Sequence, residues 1–82
     1  SAYFVHREGD LLGIFWLDGN KLLAIVSVQK GAGETVMHTM MSLRDGEPMT
    51  LEVASTNARA IRLYEKAGFL PTAELCRWYQ VG

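Results

Sequence analysis

Cysteine is nearly missing from this chain: Cys76 is the only one in 82 residues. No internal disulfide or cysteine-based metal cluster can form, and a reducing, cytoplasmic setting is the expectation. No two Lys or Arg residues are adjacent, and the net charge is −1. Neither a nucleic-acid partner nor an anionic membrane surface is therefore expected. No apolar run approaches the ~20 residues of a membrane-spanning helix. The first residues, SAYFVHR, lack the basic-then-apolar order of a signal peptide. Histidine is confined to His6 and His38, so no metal site is expected.

What remains is the composition of a folded domain. Hydrophobic residues make up 49% and charged residues 21%, which sets the chain apart from disordered sequences. At this length residues 1–82 are read as a single domain. One small core leaves a thin stability margin, so association with a ligand or another chain is expected.

Three strand candidates come first: residues 3–7, residues 11–17 (LLGIFWL) and residues 22–28 (LLAIVSV). Polar turns, Glu8-Gly9-Asp10 and Asp18-Gly19-Asn20, separate them, which predicts an antiparallel meander. The continuous apolar character of residues 11–17 predicts burial on both faces. A glycine-containing loop over 29–33 leads into residues 34–44, where Val36, Met37, Met40, Met41 and Leu43 recur at helical spacing. Asp45-Gly46-Glu47-Pro48 is read as the stop of that helix. Residues 49–54 form the next strand, and residues 72–81 (TAELCRWYQV) the last.

The most informative stretch is residues 50–69, TLEVASTNARAIRLYEKAGF. Asn57 is a good N-cap, since its side-chain oxygen can accept from an unpaired amide of the first turn. Ala60, Ile61, Leu63, Tyr64 and Ala67 follow at helical spacing, which assigns Arg59, Arg62, Glu65 and Lys66 to solvent. Gly68 is placed as the C′ residue, with Phe69 packing back on Tyr64 in a Schellman ending. The element order is thus β-β-β-α-β-α-β, an α/β (α+β) chain whose strand–helix–strand unit from 22 to 54 is a right-handed parallel crossover inside a mixed sheet.

Asn57, Ala60, Leu63, Tyr64, Gly68 and Phe69, behind a strand reading Leu51-Glu52-Val53, resemble the second conserved motif of the GNAT superfamily of acyl-CoA-dependent N-acetyltransferases. Residues 28–33 (VQKGAG) resemble the family's pyrophosphate loop. Glycines there allow close backbone approach, and consecutive amides with a helix N-terminus suit a diphosphate. Two positions depart from the pattern. Val28 stands where Gln or Arg is usual, and Glu34 follows the last glycine, where it can occupy the anion site when no coenzyme is present.

The resemblance implies a GNAT-like fold, acetyl-CoA as cosubstrate and transfer of its acetyl group to an amine by direct attack. It places the pantetheine arm along Val26 and Val28, and the phosphates at Gly31, Ala32, Gly33, Glu34 and Thr35. It places Asn57 and Tyr64 at the coenzyme, with the Tyr64 phenol as general acid for the departing thiolate. The family's further N-terminal strand and helices, and its final strand, are not matched by residues of this sequence. Two expectations follow: a homodimer, or a preceding region of a larger chain, supplies the missing walls. The alternative to an enzyme is a truncated, non-catalytic module that binds coenzyme A or a protein partner.

Other residues carry simpler readings. An aromatic on the inner face of a helix, as at Tyr64, is first a core residue. His6 and His38 read as surface groups, Cys76 as a small core residue on the last strand, and the helix methionines as core. Glu52 lies on a strand beside the expected cleft and has no assigned role.

Overall fold

The computed structural model describes residues 1–44 and 47–80. Asp45 and Gly46, within the expected helix stop, and Val81, the expected end of the last strand, lie outside them. Three strands open the chain: β1 (Ala2–Arg7), β2 (Asp10–Asp18) and β3 (Lys21–Ser27). They form the expected antiparallel meander, Phe4 opposite Ile14 and Phe15 opposite Ile25. Helix α1 (Gly33–Leu43) follows, then β4 (Met49–Glu52), which pairs in parallel with β3. Helix α2 (Ala58–Lys66) leads to β5 (Leu70–Pro71) and β6 (Arg77–Gln80). The sheet order is β1-β2-β3-β4-β6-β5, with every pairing antiparallel except β3 with β4.

The α+β class and mixed sheet agree with expectation, but the element order gains a strand. Residues 72–81 were expected as one strand, whereas Leu70–Pro71 already pairs with Trp78 and Tyr79, and among the described residues of the expected segment only Arg77–Gln80 is a strand. The intervening residues turn because the Thr72 hydroxyl accepts from the Glu74 amide at 3.0 Å, a local bond that competes with the ladder. Leu75 is left 88% exposed, and Cys76 takes φ +63°. Cys76 thus sits half-buried in the turn rather than on a strand.

One core holds the layers together. Phe15 and Leu17 of β2, Leu22 of β3, Met49 and Leu51 of β4, Val36 and Met40 of α1, and Tyr64 with Phe69 share a single buried cluster. Helix α1 lies directly on the sheet at Gly13, where a Cβ would collide with the Val26 carbonyl oxygen and Val36 Cγ2. The methionines Met37 and Met40 are core, as read. β2 is not buried on both faces: Phe15 and Leu17 are buried, while Ile14 and Trp16 on the alternate positions are only half-buried. Phe4 and Val26, paired in register with Ile14, are exposed on that second face.

Helix α2 ends as its sequence dictates. Asn57 Oδ1 accepts from the Ala60 amide at 3.2 Å. At the other end the Phe69 amide donates to the Tyr64 carbonyl and the Gly68 amide to that of Glu65, both at 3.0 Å, with Gly68 at φ +95°. These are the paired bonds of a Schellman motif.

Candidate functional site

Only Lys21 with Thr50 and Leu22 with Leu51 pair between β3 and β4. Past these residues β3 runs on to Ser27, and its side toward β4 has no strand partner among the described residues. A cleft of about 780 Å³ opens there, bordered by β3, the loop before α1, the end of β4 and helix α2. Its size falls in the range of small-molecule sites.

The backbone facing this cleft follows from strand parity. The Val28 amide donates to the Leu12 carbonyl at 2.9 Å, so Val28 and, two residues back, Val26 turn their peptide groups toward β2. Ile25 and Ser27 turn theirs toward the gap, and both line the cleft. Val26 and Val28, expected along the pantetheine path, do not line it. Their side chains are exposed on the other face.

The loop residues divide as well. Gly31, Gly33 and Glu34 line the cleft with Asn57 and Tyr64. Ala32 and Thr35 border a separate hollow of about 260 Å³ with Arg7, Gln29 and Lys30, which Gly31 also touches. Ala32 is the N-cap of α1 and offers no side-chain hydrogen bond, so no side-chain acceptor caps the leading amides of that helix. A Cβ placed on Gly33 would meet nothing nearer than Leu63 at 3.8 Å. The protein's own packing leaves room for a side chain there.

Tyr64 has a buried ring and lines the cleft. Burial pushes its phenol above the ordinary tyrosine value, because the phenolate loses solvation. The group thus keeps its proton over a wide pH range.

Glu52 borders the same cleft, but cations hold it. Arg77 Nη2 donates to Oε2 at 3.1 Å, and Lys21 Nζ lies 3.7 Å from Oε1. The Arg77 hydrogen bond, then the Lys21 charge, lowers the carboxyl below its ordinary value. A carboxylate so stabilised is a weak proton acceptor.

Arg59, Arg62 and Lys66 are exposed, as helical periodicity assigned them, and they border the cleft as well. Their spacing of three and four residues marks one stripe on the exposed face of α2, away from the buried ring of Tyr64, and that stripe was the available signal. Lys66 Nζ donates to Glu34 Oε1 at 2.9 Å, joining the two helices. His6 and His38 lie on exposed positions outside the cleft. Among the described residues no group of three or more His, Cys, Asp or Glu side chains is placed to hold a metal ion.

A meander, a parallel crossover whose strands part and a helix crossing the gap define a GNAT-like fold. The crystal structure of the N-acetyltransferase PseH of Campylobacter jejuni superposes on this chain with a TM-score of 0.74 at 15% identity, covering 98% of this chain and 66% of PseH. The structure of PseH in complex with acetyl coenzyme A gives a TM-score of 0.71 at 16% identity, with 95% and 63% covered. The chain thus spans slightly less than two thirds of the length of these neighbours. No protein-family model and no curated protein sequence matches it. Among the described residues no helix is long and apolar enough to cross a membrane.

Proposed function

We propose that the chain is the coenzyme-binding part of an acyl-CoA-dependent N-acetyltransferase, moving acetyl from acetyl-CoA to an amine by direct attack. The observation that carries this reading is the gap between β3 and β4, with Tyr64, Asn57, Gly31 and Gly33 on its walls. The GNAT-like fold and the acetyl coenzyme A complex of PseH support it.

Acetyl-CoA would supply the activated thioester. The peptide groups of Ile25 and Ser27 would hold the pantetheine arm by strand-like hydrogen bonds. The loop amides before α1 would face the diphosphate. The amine nitrogen bonds to the acetyl carbon as the carbon–sulfur bond breaks, and the sulfur takes the Tyr64 proton. The amine's own proton leaves to water, and the tyrosinate recovers one from solvent. The reading includes a cytoplasmic setting and a second wall along the β1 edge, from another copy of the chain or from further residues.

A non-catalytic module is the second reading, favoured by the state of the two carboxylates that line the cleft: Glu52 is held by Arg77 and Lys21, and Glu34 by Lys66. Titration calorimetry with acetyl-CoA, followed by thiol release on a panel of amines, separates the two. Binding with amine-dependent thiol release supports the enzyme. Binding with only slow hydrolysis supports the module, and absence of binding ends the enzyme reading and leaves only a module for a protein partner.

A further inference from the structure

The resemblance assigns phosphate recognition to the loop before α1. Helix α2 brings a further source of positive charge to the same cleft. Its charged lining consists of Arg59, Arg62 and Lys66 from α2, against Glu34 and Glu52. Glu52 is already engaged by Arg77 and Lys21. The whole chain carries −1, so this concentration of cations does not follow from overall charge.

The three cations form one stripe about 10 Å long on the helix. Like charges at such spacing repel one another. Neither Arg59 nor Arg62 makes an ion pair among the described residues. Leu63, between the arginines and Lys66 in sequence, is the residue that a Cβ on Gly33 of the loop would meet first, at 3.8 Å. Lys66 alone has a partner, Glu34, the first residue after that loop. This pair is open to solvent, its side chains 69% and 67% exposed, and exposed pairs are weakly held.

We infer that Arg59, Arg62 and Lys66 are the phosphate-reading wall of the cleft, and that Glu34 is an internal anion competing for Lys66. This rests on the acyl-CoA reading and deepens it by naming residues outside the loop. The ligand chemistry is the phosphorylated nucleotide end of the acyl carrier. Arginine suits it, because the planar guanidinium meets phosphate oxygens with two donors at once. A multiply charged phosphate then displaces the single Glu34 carboxylate, which turns to solvent.

The test is titration calorimetry of the full chain with acetyl-CoA at low and moderate salt, with thermal melts of every variant. The double variant Arg59→Gln/Arg62→Gln is expected to bind at least about tenfold more weakly, with a shallower salt dependence and an unaltered melting temperature. Glu34→Gln is expected to bind about threefold or more tightly, and the gain is expected to vanish when Lys66→Gln is added. Folded arginine variants that bind acetyl-CoA as tightly as wild type, with the same salt dependence, would overturn the inference and leave the acetyltransferase reading standing. A wild-type chain that does not bind acetyl-CoA would overturn that reading, and this inference with it.

Discussion

The ring of Phe69 meets the ring of Tyr64 edge to face, with centroids 5.9 Å apart and planes at 60°. Phe69 is held in that position by its own amide, which donates to the Tyr64 carbonyl. The end of α2 thereby fixes the orientation of the phenol that lines the cleft. Tyr64→Phe keeps the ring pair and removes only the hydroxyl. Its melting temperature should stay close to wild type, while the turnover number for acetyl transfer falls about a hundredfold. Steady-state kinetics beside thermal melts checks this. An unaltered rate would reduce Tyr64 to a packing residue.

The raised phenol value has a signed consequence. A folded-state value above the unfolded one makes the linked stability fully present below the ordinary tyrosine value of about 10. It is lost as pH rises through the elevated folded value, because the unfolded chain releases its proton first. Wild type should therefore lose stability in alkali more steeply than Tyr64→Phe. Urea midpoints of the two proteins from neutral pH into the alkaline range give the comparison; parallel curves would contradict it.

Glu52 behaves in the opposite sense. Its carboxyl is depressed by the Arg77 hydrogen bond and the Lys21 charge from an ordinary 4.5. The linked stability is present above that value and is lost as pH falls through the depressed one. The site is open to solvent, so the effect is small and sensitive to salt. Glu52→Gln should melt slightly below wild type at neutral pH, and the gap should close on acidification. A gap that persists unchanged in acid would point to packing instead.

Gly68 combines two demands. Its φ of +95° suits glycine, and a Cβ there would come within 2.9 Å of Gln80 Nε2. The same Gln80 amide donates to the Ala67 carbonyl at 2.6 Å, fastening β6 to the helix end. Gly68→Ala should cost about 1–2 kcal/mol through the left-handed backbone alone. Gln80→Leu should cost about 1 kcal/mol through the lost hydrogen bond. Denaturant titration of both, with the double variant, would reveal coupling between them.

Helix α2 was legible because each of its signals is local: Asn57 reaches its own first turn, and Gly68 stops the helix it follows. The site was less legible because its geometry is set at a distance. Whether Val26 or Ile25 faces the cleft depends on strand parity, which the Val28–Leu12 hydrogen bond fixes. Periodicity separates the core face of α2 from the rest, but it does not show that the rest borders a gap between β3 and β4. Arg59 and Arg62 are exposed, as periodicity assigned them, but their place at the cleft was not visible from it. The β5–β6 hairpin was missed because the apolar pattern of residues 72–81 continues through Leu75, while the Thr72 hydroxyl takes the local backbone out of the sheet.

Gly33 separates folding from binding most cleanly. It begins α1, and a methyl group there would meet only ordinary contacts, Leu63 at 3.8 Å and Ser27 Oγ at 3.9 Å. Alanine also favours the helical backbone over glycine by up to about 1 kcal/mol. Gly33→Ala should therefore leave the melting temperature unchanged or slightly raised. If a diphosphate lies against this backbone, the methyl group occupies its space and pushes it from the amides, and acetyl-CoA affinity should fall about tenfold or more. Stability and affinity would then move in opposite directions, which a general loosening of the fold cannot produce. Calorimetry showing wild-type affinity in a well-folded Gly33→Ala protein would place the phosphates elsewhere.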